Sequence, residues 1–455
     1  MAKMLGTFGD DSLVGIAAGD QVYGLAGNDT LFGELSVVSL FGGAGNDEVG
    51  AVFDSVDSDI NLLVDGGFND DFVGIRTTST GFFDVETGDT SNSIVTANGG
   101  AGNDSVLIFQ YGQSFTDTES MTFTATASGG DGADLVGAGT YVEIDAGMVV
   151  EISQNVSASG GDDAVVSETQ LAFDANSSGG SGVIGVVAAG GGGNDIISVS
   201  SLATSLADTF AQLSITANGG FGNDSVDVFA TATGSGSAVI YVDVVGDIGS
   251  DIITVAATAQ TSGYNGVFTD VDAGNGNDFV DVTMIGNDMV GTATGGYGND
   301  EMRIGMVDSG VDGFATIVMD GGIGNDTVLG DLGTLFGNST VSGDFGNDLI
   351  SVAGGDGNVL RGGAGNDTMT GGALADTFAF GTDAFDELAD GFRNRDVITN
   401  YRAEQNDVLD LTNGIAQVES WRVNAGNTEL TMVGDHDLVI LQNVVITSLD
   451  DLLFA

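Results

Sequence analysis

The sequence predicts an all-β fold: a right-handed parallel β-roll or β-helix solenoid, wide in the middle, tapered at the ends and closed by a small β-rich C-terminal cap. Three observations predict it. A Gly-Asp turn recurs from end to end, apolar and polar residues alternate with a period of two between the turns, and Pro is absent from all 455 residues. A Pro in an inner rung would delete a ladder hydrogen bond, so its absence suits a stack of paired strands.

The repeated turn reads Gly-Gly-x-Gly-Asn-Asp-x-apolar, as in Gly42-Gly43-Ala44-Gly45-Asn46-Asp47-Glu48-Val49. Close copies end at Asp29, Asp104, Asp195, Asp224, Asp278, Asp300, Asp326, Asp348 and Asp367, and weaker ones at Asp11, Asp71, Asp134, Asp163, Asp251 and Asp376. Successive motif Asp residues lie 18 apart near the N-terminus, up to 33 apart in the middle and 9 apart at the last step. If each interval is one coil, the coils lengthen toward the middle. Ser225-Val226-Asp227-Val228-Phe229 follows one turn and Ala238-Val239-Ile240-Tyr241-Val242-Asp243-Val244 leads to the next. Each middle coil is therefore a Gly-Asp turn, a strand, a variable second turn and a strand back. Stacked coils give parallel sheets whose inward residues form one core.

After Asp376 the style changes. Four of the eight basic residues, Arg393, Arg395, Arg402 and Arg422, fall there with the single Trp421 and the single His436. Residues 1–376 are expected to form the solenoid and 377–455 the cap, with a short helical turn around Asp383 to Ala389.

Composition sets the partners. Asp and Glu number 66 against 8 Lys and Arg, a net charge of -58, which repels nucleic acid and anionic membrane surfaces and collects cations. Hydrophobic content of 42% is too high for disorder, and with no Cys there is neither a disulfide nor a thiolate metal site. The first residues show no secretory signal pattern, and the longest apolar runs, such as Val183 to Ala189, fall well short of a bilayer span, so no membrane insertion is expected.

The turn's chemistry points to calcium, a hard cation that takes six to eight oxygen ligands. Gly residues reach backbone angles that turn carbonyls inward, and the motif Asp adds a carboxylate. One isolated turn is read as a turn and no more. A file of carboxylates stacked about 5 Å apart, the strand spacing, repels itself unless neutralised. The expected calcium ligands are Asp11, Asp20, Asp29, Asp47, Asp71, Asp104, Asp134, Asp195, Asp224, Asp251, Asp278, Asp300, Asp326, Asp348, Asp367 and Asp376. Asp163 is left out, because its Gly160-Gly161-Asp162-Asp163 reads as two residues short.

These blocks resemble the RTX family, the hemolysin-type calcium-binding nonapeptide repeats that form parallel β-rolls, over residues 5 to 378. The family's spacing of nine is met at Asp11, Asp20 and Asp29 and again from Asp367 to Asp376, but in the middle only one turn per coil keeps the motif, which implies one row of ions there. The segments Asp396-Val-Ile-Thr-Asn-Tyr401, Asp407-Val-Leu-Asp-Leu411, Asp437-Leu-Val-Ile-Leu441 and Asp450-Asp-Leu-Leu-Phe454 resemble the C-terminal region of RTX proteins exported by type I secretion. That resemblance implies a bacterial protein outside the cell, exported without an N-terminal signal peptide, whose folding waits for extracellular calcium.

No catalytic activity is expected: the sequence has no His-Glu-x-x-His and no Gly-x-Ser-x-Gly, and His436, between Asp435 and Asp437, reads as a surface turn. Repeats begin almost at Met1, with Gly9-Asp10-Asp11, so an open first rung can template another chain. The expected role is thus a calcium-dependent structural protein that self-assembles head to tail or as a lattice into an extracellular layer, filament or biofilm matrix. The alternative is a surface adhesin or a glycan- or ice-binding module using Thr-rich faces at Thr122-Phe-Thr-Ala-Thr-Ala-Ser128, Thr231-Ala-Thr233 and Thr292-Ala-Thr294.

Overall fold

The computed structural model describes residues 2–15, 19–34, 37–55, 59–81, 90–114, 120–144, 148–173, 180–206, 208–308, 313–333, 336–380, 394–411, 417–433 and 437–454. Among them the fold is all-β, with two long, mostly parallel sheets of 17 and 19 strands and no α-helix. This is the solenoid architecture that the repeat implies. The chain crosses from the first sheet to the second at each Gly-Asp turn: Val37–Ala44 lies in the first, Glu48–Ser55 in the second and Ile60–Phe68 back in the first.

Period two builds the strands. In Ser120–Asp131, Met121, Phe123, Ala125 and Ala127 are buried, while Thr122, Thr124, Thr126 and Ser128 face outward. β-branched and hydroxyl residues suit the outer, half-wet side of a pleated sheet.

Contacts divide the chain into two compact units. The first is Met1–Asp243 with Ala257–Gly266. Its strands grow from three or four residues, Lys3–Leu5 and Ser12–Gly15, to 12 in Thr90–Ala101 and Ser120–Asp131. The inner faces of its two sheets meet closely enough that Gly112 of the second sheet has no room for a side chain beside the ring of Phe123 in the first. A polar seam runs through this core: Gln110 Nε2 donates to Ser93 Oγ at 2.9 Å, Thr140 Oγ1 to Gln110 Oε1 at 3.3 Å, and Gln154 Nε2 to Thr140 Oγ1 at 2.8 Å.

The second unit is Val244–Ala256 with Val267–Ala455. Its strands shorten from 10 residues in Phe314–Ile323 to five in Leu349–Ala353 and three in Thr368–Thr370. The parallel ladders continue past residue 376, pairing Thr377 with Val408 and Thr368 with Val397. They end in an antiparallel closure of Val418–Asn424, Asn427–Met432 and Leu438–Leu441, the last of which also pairs in parallel with Arg395–Ile398. The acidic-apolar tail folds back: Leu409 N donates to the Leu453 carbonyl at 2.9 Å and Leu453 N to Tyr401 Oη at 2.9 Å. The helical turn expected around Asp383 to Ala389, and His436, lie outside the described residues. No helix among the described residues is long and apolar enough to cross a membrane.

Candidate metal centre

Stacking dictates the glycines. At the third Gly of the turn φ is positive, +134° at Gly45 and +142° at Gly298, and a Cβ there would overlap the carbonyl oxygen of the equivalent Gly one coil back, Gly27 or Gly276. The first Gly has a different neighbour. A Cβ on Gly99 would lie 2.6 Å from Asp104 Oδ2 of its own turn and 2.6 Å from the carbonyl oxygen of Gly129 on the next coil. At Gly66 the same point lies 2.6 Å from Asp71 Oδ2 and 2.7 Å from the Gly99 carbonyl, and at Gly321 2.8 Å from Asp326 Oδ2 and 2.9 Å from the Gly343 carbonyl. A carboxylate oxygen and a carbonyl oxygen of the next coil thus gather around a Gly whose hydrogen is a weak donor.

The two oxygens of each motif carboxylate have different fates. Oδ1 accepts the backbone N–H of the preceding motif Asp: Asp47 N to Asp71 Oδ1 at 2.7 Å, Asp71 N to Asp104 at 2.7 Å and Asp104 N to Asp134 at 2.7 Å in the first unit. In the second unit Asp278 N donates to Asp300, Asp300 N to Asp326 and Asp326 N to Asp348, all at 2.8 Å. Oδ2 is buried and has no hydrogen-bond partner at Asp29, Asp47, Asp71, Asp104, Asp134, Asp163 and Asp195, nor at Asp278, Asp300, Asp326, Asp348, Asp367 and Asp376. These side chains are at most 4% exposed. A buried carboxylate oxygen without a donor costs free energy unless a cation or a proton answers it.

Desolvation shows in the acidities. Burial foremost, with the charge of neighbouring carboxylates adding and the accepted backbone N–H opposing, pushes Asp348 and Asp367 up to about 8 and Asp71 and Asp278 to about 7. Asp104, Asp195 and Asp326 rise to about 6 for the same reasons.

Where an Asn precedes the motif Asp, it forms a second ladder, running the opposite way and open to solvent. Asn299 N donates to Asn277 Oδ1 at 2.8 Å, Asn325 N to Asn299 at 2.8 Å and Asn347 N to Asn325 at 2.9 Å, and each amide nitrogen reaches the same oxygen. These turns are therefore tied forward by the Asp and back by the Asn.

Within each unit the N–H···Oδ1 ladder places the expected ligands in a row. Asp11, Asp29, Asp47, Asp71, Asp104, Asp134, Asp195 and Asp224 share one row with Asp163 in the first unit, and Asp251, Asp278, Asp300, Asp326, Asp348 and Asp367 share a row in the second. Asp20 and Asp376 stand at the other turn. Ala2 N donates to Asp20 Oδ1, and Asp376 links Asn358 to Asp407.

Asp163 corrects the sequence reading. Its turn is not short: Ser157 pairs with Ala189 and Gly160 bridges Gly192, so Ala158-Ser159-Gly160-Gly161-Asp162-Asp163 is a full turn with Ala and Ser in the first two places. Asp134 N donates to its Oδ1 at 2.7 Å, as in every other rung. Three further residues were not among the expected ligands: Asp396 accepts from Asp367 N, Asp407 from Asp376 N and Asp437 from Asn394 N. Their signal was the pair of apolar residues after the Asp, as in Asp396-Val397-Ile398. The Asn ladder had the same kind of signal, a repeated residue with no assigned role.

The donors gathered at the turns are all oxygen, which suits a hard cation. Among the described residues no group of three His, Cys, Asp or Glu side chains converges as a metal cluster, so a cation here would draw one carboxylate per coil and otherwise backbone carbonyls. Neither a protein-family model nor a curated protein matches this sequence.

Proposed function

We propose that this chain is a secreted, calcium-dependent, non-catalytic structural protein that self-assembles into an extracellular layer, filament or matrix. The observation that carries the calcium reading is the file of buried Asp Oδ2 atoms without donors, which at Asp71, Asp104, Asp326 and Asp348 share the space over the first Gly with a carbonyl of the next coil. Calcium bound there would neutralise the file and join adjacent coils. The chain's own part is to hold the carboxylates in place through the N–H···Oδ1 ladder and to keep water from them. A site that exists only when coils stack couples binding to folding, so the chain stays expanded where calcium is scarce and folds where it is millimolar. The likeness of the repeat and of the C-terminal segments to RTX proteins supports export.

The glycan- or ice-binding alternative draws no support from the register. Thr122, Thr124 and Thr126 lie beside Glu151, Ser153 and Asn155, and Thr292 and Thr294 beside Val318 and Asp320, so these hydroxyls form no long file.

The test is dialysis of the purified chain from chelator into about 5 mM calcium, followed by circular dichroism and negative-stain electron microscopy. Strand content and ordered assemblies that appear with calcium and vanish with chelator are expected. Asp104→Asn and Asp278→Asn should each lower the number of calcium ions bound in titration calorimetry. An unchanged stoichiometry in both would sink the ion row.

A further inference from the structure

We infer that the outer face of the second sheet in the first unit is an interface between two copies of this chain, related by a two-fold axis along the strands. A groove of about 570 Å³ opens on this face, floored by Gly74, Gly137 and Gly139 and walled by Leu107, Phe109 and Val166. Phe109 is 45% exposed and Val166 41%, beside Leu107 and Leu135, which are also exposed. The patch is also nearly free of the acidity that dominates the chain. The three outward rows nearest the Gly-Asp turns, over four strands, hold one Arg and one Glu.

The partner follows from the register. Ser105–Ser114 lies between Phe72–Gly81 and Leu135–Ile144, and the latter pairs with Ala164–Phe173. Across these four strands the outward rows read Phe72, Ser105, Leu135, Ala164; then Gly74, Leu107, Gly137, Val166; then Arg76, Phe109, Gly139, Glu168. A two-fold axis between the two middle strands reverses each row and keeps its height along the strand. Each row then meets itself backwards. Arg76 faces Glu168 of the other copy, Phe109 faces Gly139, Leu107 faces Gly137, Gly74 faces Val166, Phe72 faces Ala164 and Ser105 faces Leu135.

In these three rows Phe72, Leu107, Leu135 and Val166 meet smaller residues and the cation meets the anion, as an isologous contact requires, while the next row along the strands sets Tyr111 against Tyr141. Within one chain Arg76 and Glu168 stand three strand spacings apart, about 14 Å, too far to pair with each other. Phe109 leans over Gly139, whose missing Cβ would lie 3.3 Å from the ring, so the two rings meet near the axis. The six strands from Glu48–Ser55 to Ile196–Ser205 offer a footprint of roughly 900 Å² per copy, against about 800 Å² in a standard interface.

The pairing deepens the self-assembly reading and rests on it only in taking the chain as its own partner. Sedimentation velocity of the full chain in about 5 mM calcium, with circular dichroism on the same samples, tests it. Arg76→Glu places Glu against Glu168, and Glu168→Arg places Arg against Arg76, so each single variant should weaken the dimer at least about tenfold. The double variant restores opposite charges and should recover it. A wild-type monomer at about 100 μM with intact strand content, assemblies that neither single variant alters, or a double variant no tighter than the singles would overturn the interface. Strand content that ignores calcium would sink the calcium reading instead, leaving dimerisation still measurable.

Discussion

A single hydrogen-for-methyl exchange separates the turn's glycines. The first position already holds Ala at Ala158 and Ala273, so the crowd of oxygens around it can shift to admit a methyl group. The third position cannot shift, because it combines φ of +142° at Gly298 with the Gly276 carbonyl directly against it. Gly298→Ala should therefore cost about 2 kcal/mol or more, and Gly295→Ala well under half of that, by thermal melts in calcium. Equal losses at the two sites would refute the stacking argument. The third place is Gly in every other turn from Asp11 to Asp367 apart from Asn69, whose φ is +77° and whose residue type tolerates that region. This much was legible in the sequence, since a backbone demand leaves a residue type behind. The Ala158-Ser159 turn was not, because the ladder on either side sets its register while its own residues hide it.

Strands were legible for the same reason: burial on alternate positions writes itself as period two, and Met121, Phe123, Ala125 and Ala127 all fall on the buried side. What a strand packs against left no trace. Gln110 and Gln154 fall on buried positions of the pattern and look like lapses in it, yet they are the centre of a hydrogen-bonded seam between the sheets. Gln154 Nε2 donates to Thr140 Oγ1 and to the Glu168 carbonyl, and Ser167 Oγ donates to Gln154 Oε1 at 2.5 Å. Removing one member strands the others in a dry core. Gln154→Met, close in volume, should destabilise by about 1–3 kcal/mol, whereas Gln154→Met with Thr140→Val and Ser167→Ala should regain part of that loss. Denaturant melts of the two variants decide it; a neutral single change would mean that the seam contributes no net stability.

At the scale of the molecule the governing quantity is charge held where water is not. Sixty-six acidic residues were plain in the sequence, but not that a file of them would have one oxygen satisfied and the other bare, since that division depends on which N–H faces which oxygen across a coil. The consequence is a pH dependence of definite sign. In the folded, calcium-free chain Asp348 and Asp367 keep their protons to about 8 and Asp71 and Asp278 to about 7, while in the unfolded chain such groups ionise near the ordinary 3.8. Between about 4 and 8 the folded state binds more protons, so stability is fully present below the unfolded value and is lost as pH rises through the folded ones. The net charge of -58 acts in the same direction. Without calcium, the folded state should therefore survive only toward the acid end, where protons stand in for the cation, and its strand content should be lost steadily from about pH 5 to about pH 8. Calcium should oppose that loss, because protons compete with it for the same oxygens, and its stabilising effect should be largest at the alkaline end and smallest at the acid end. Circular dichroism across this range, with and without calcium, reads both trends. Strand content that rises with pH in the calcium-free chain would mean that the carboxylates are not desolvated, and the buried, donor-free Oδ2 file would lose its physical basis.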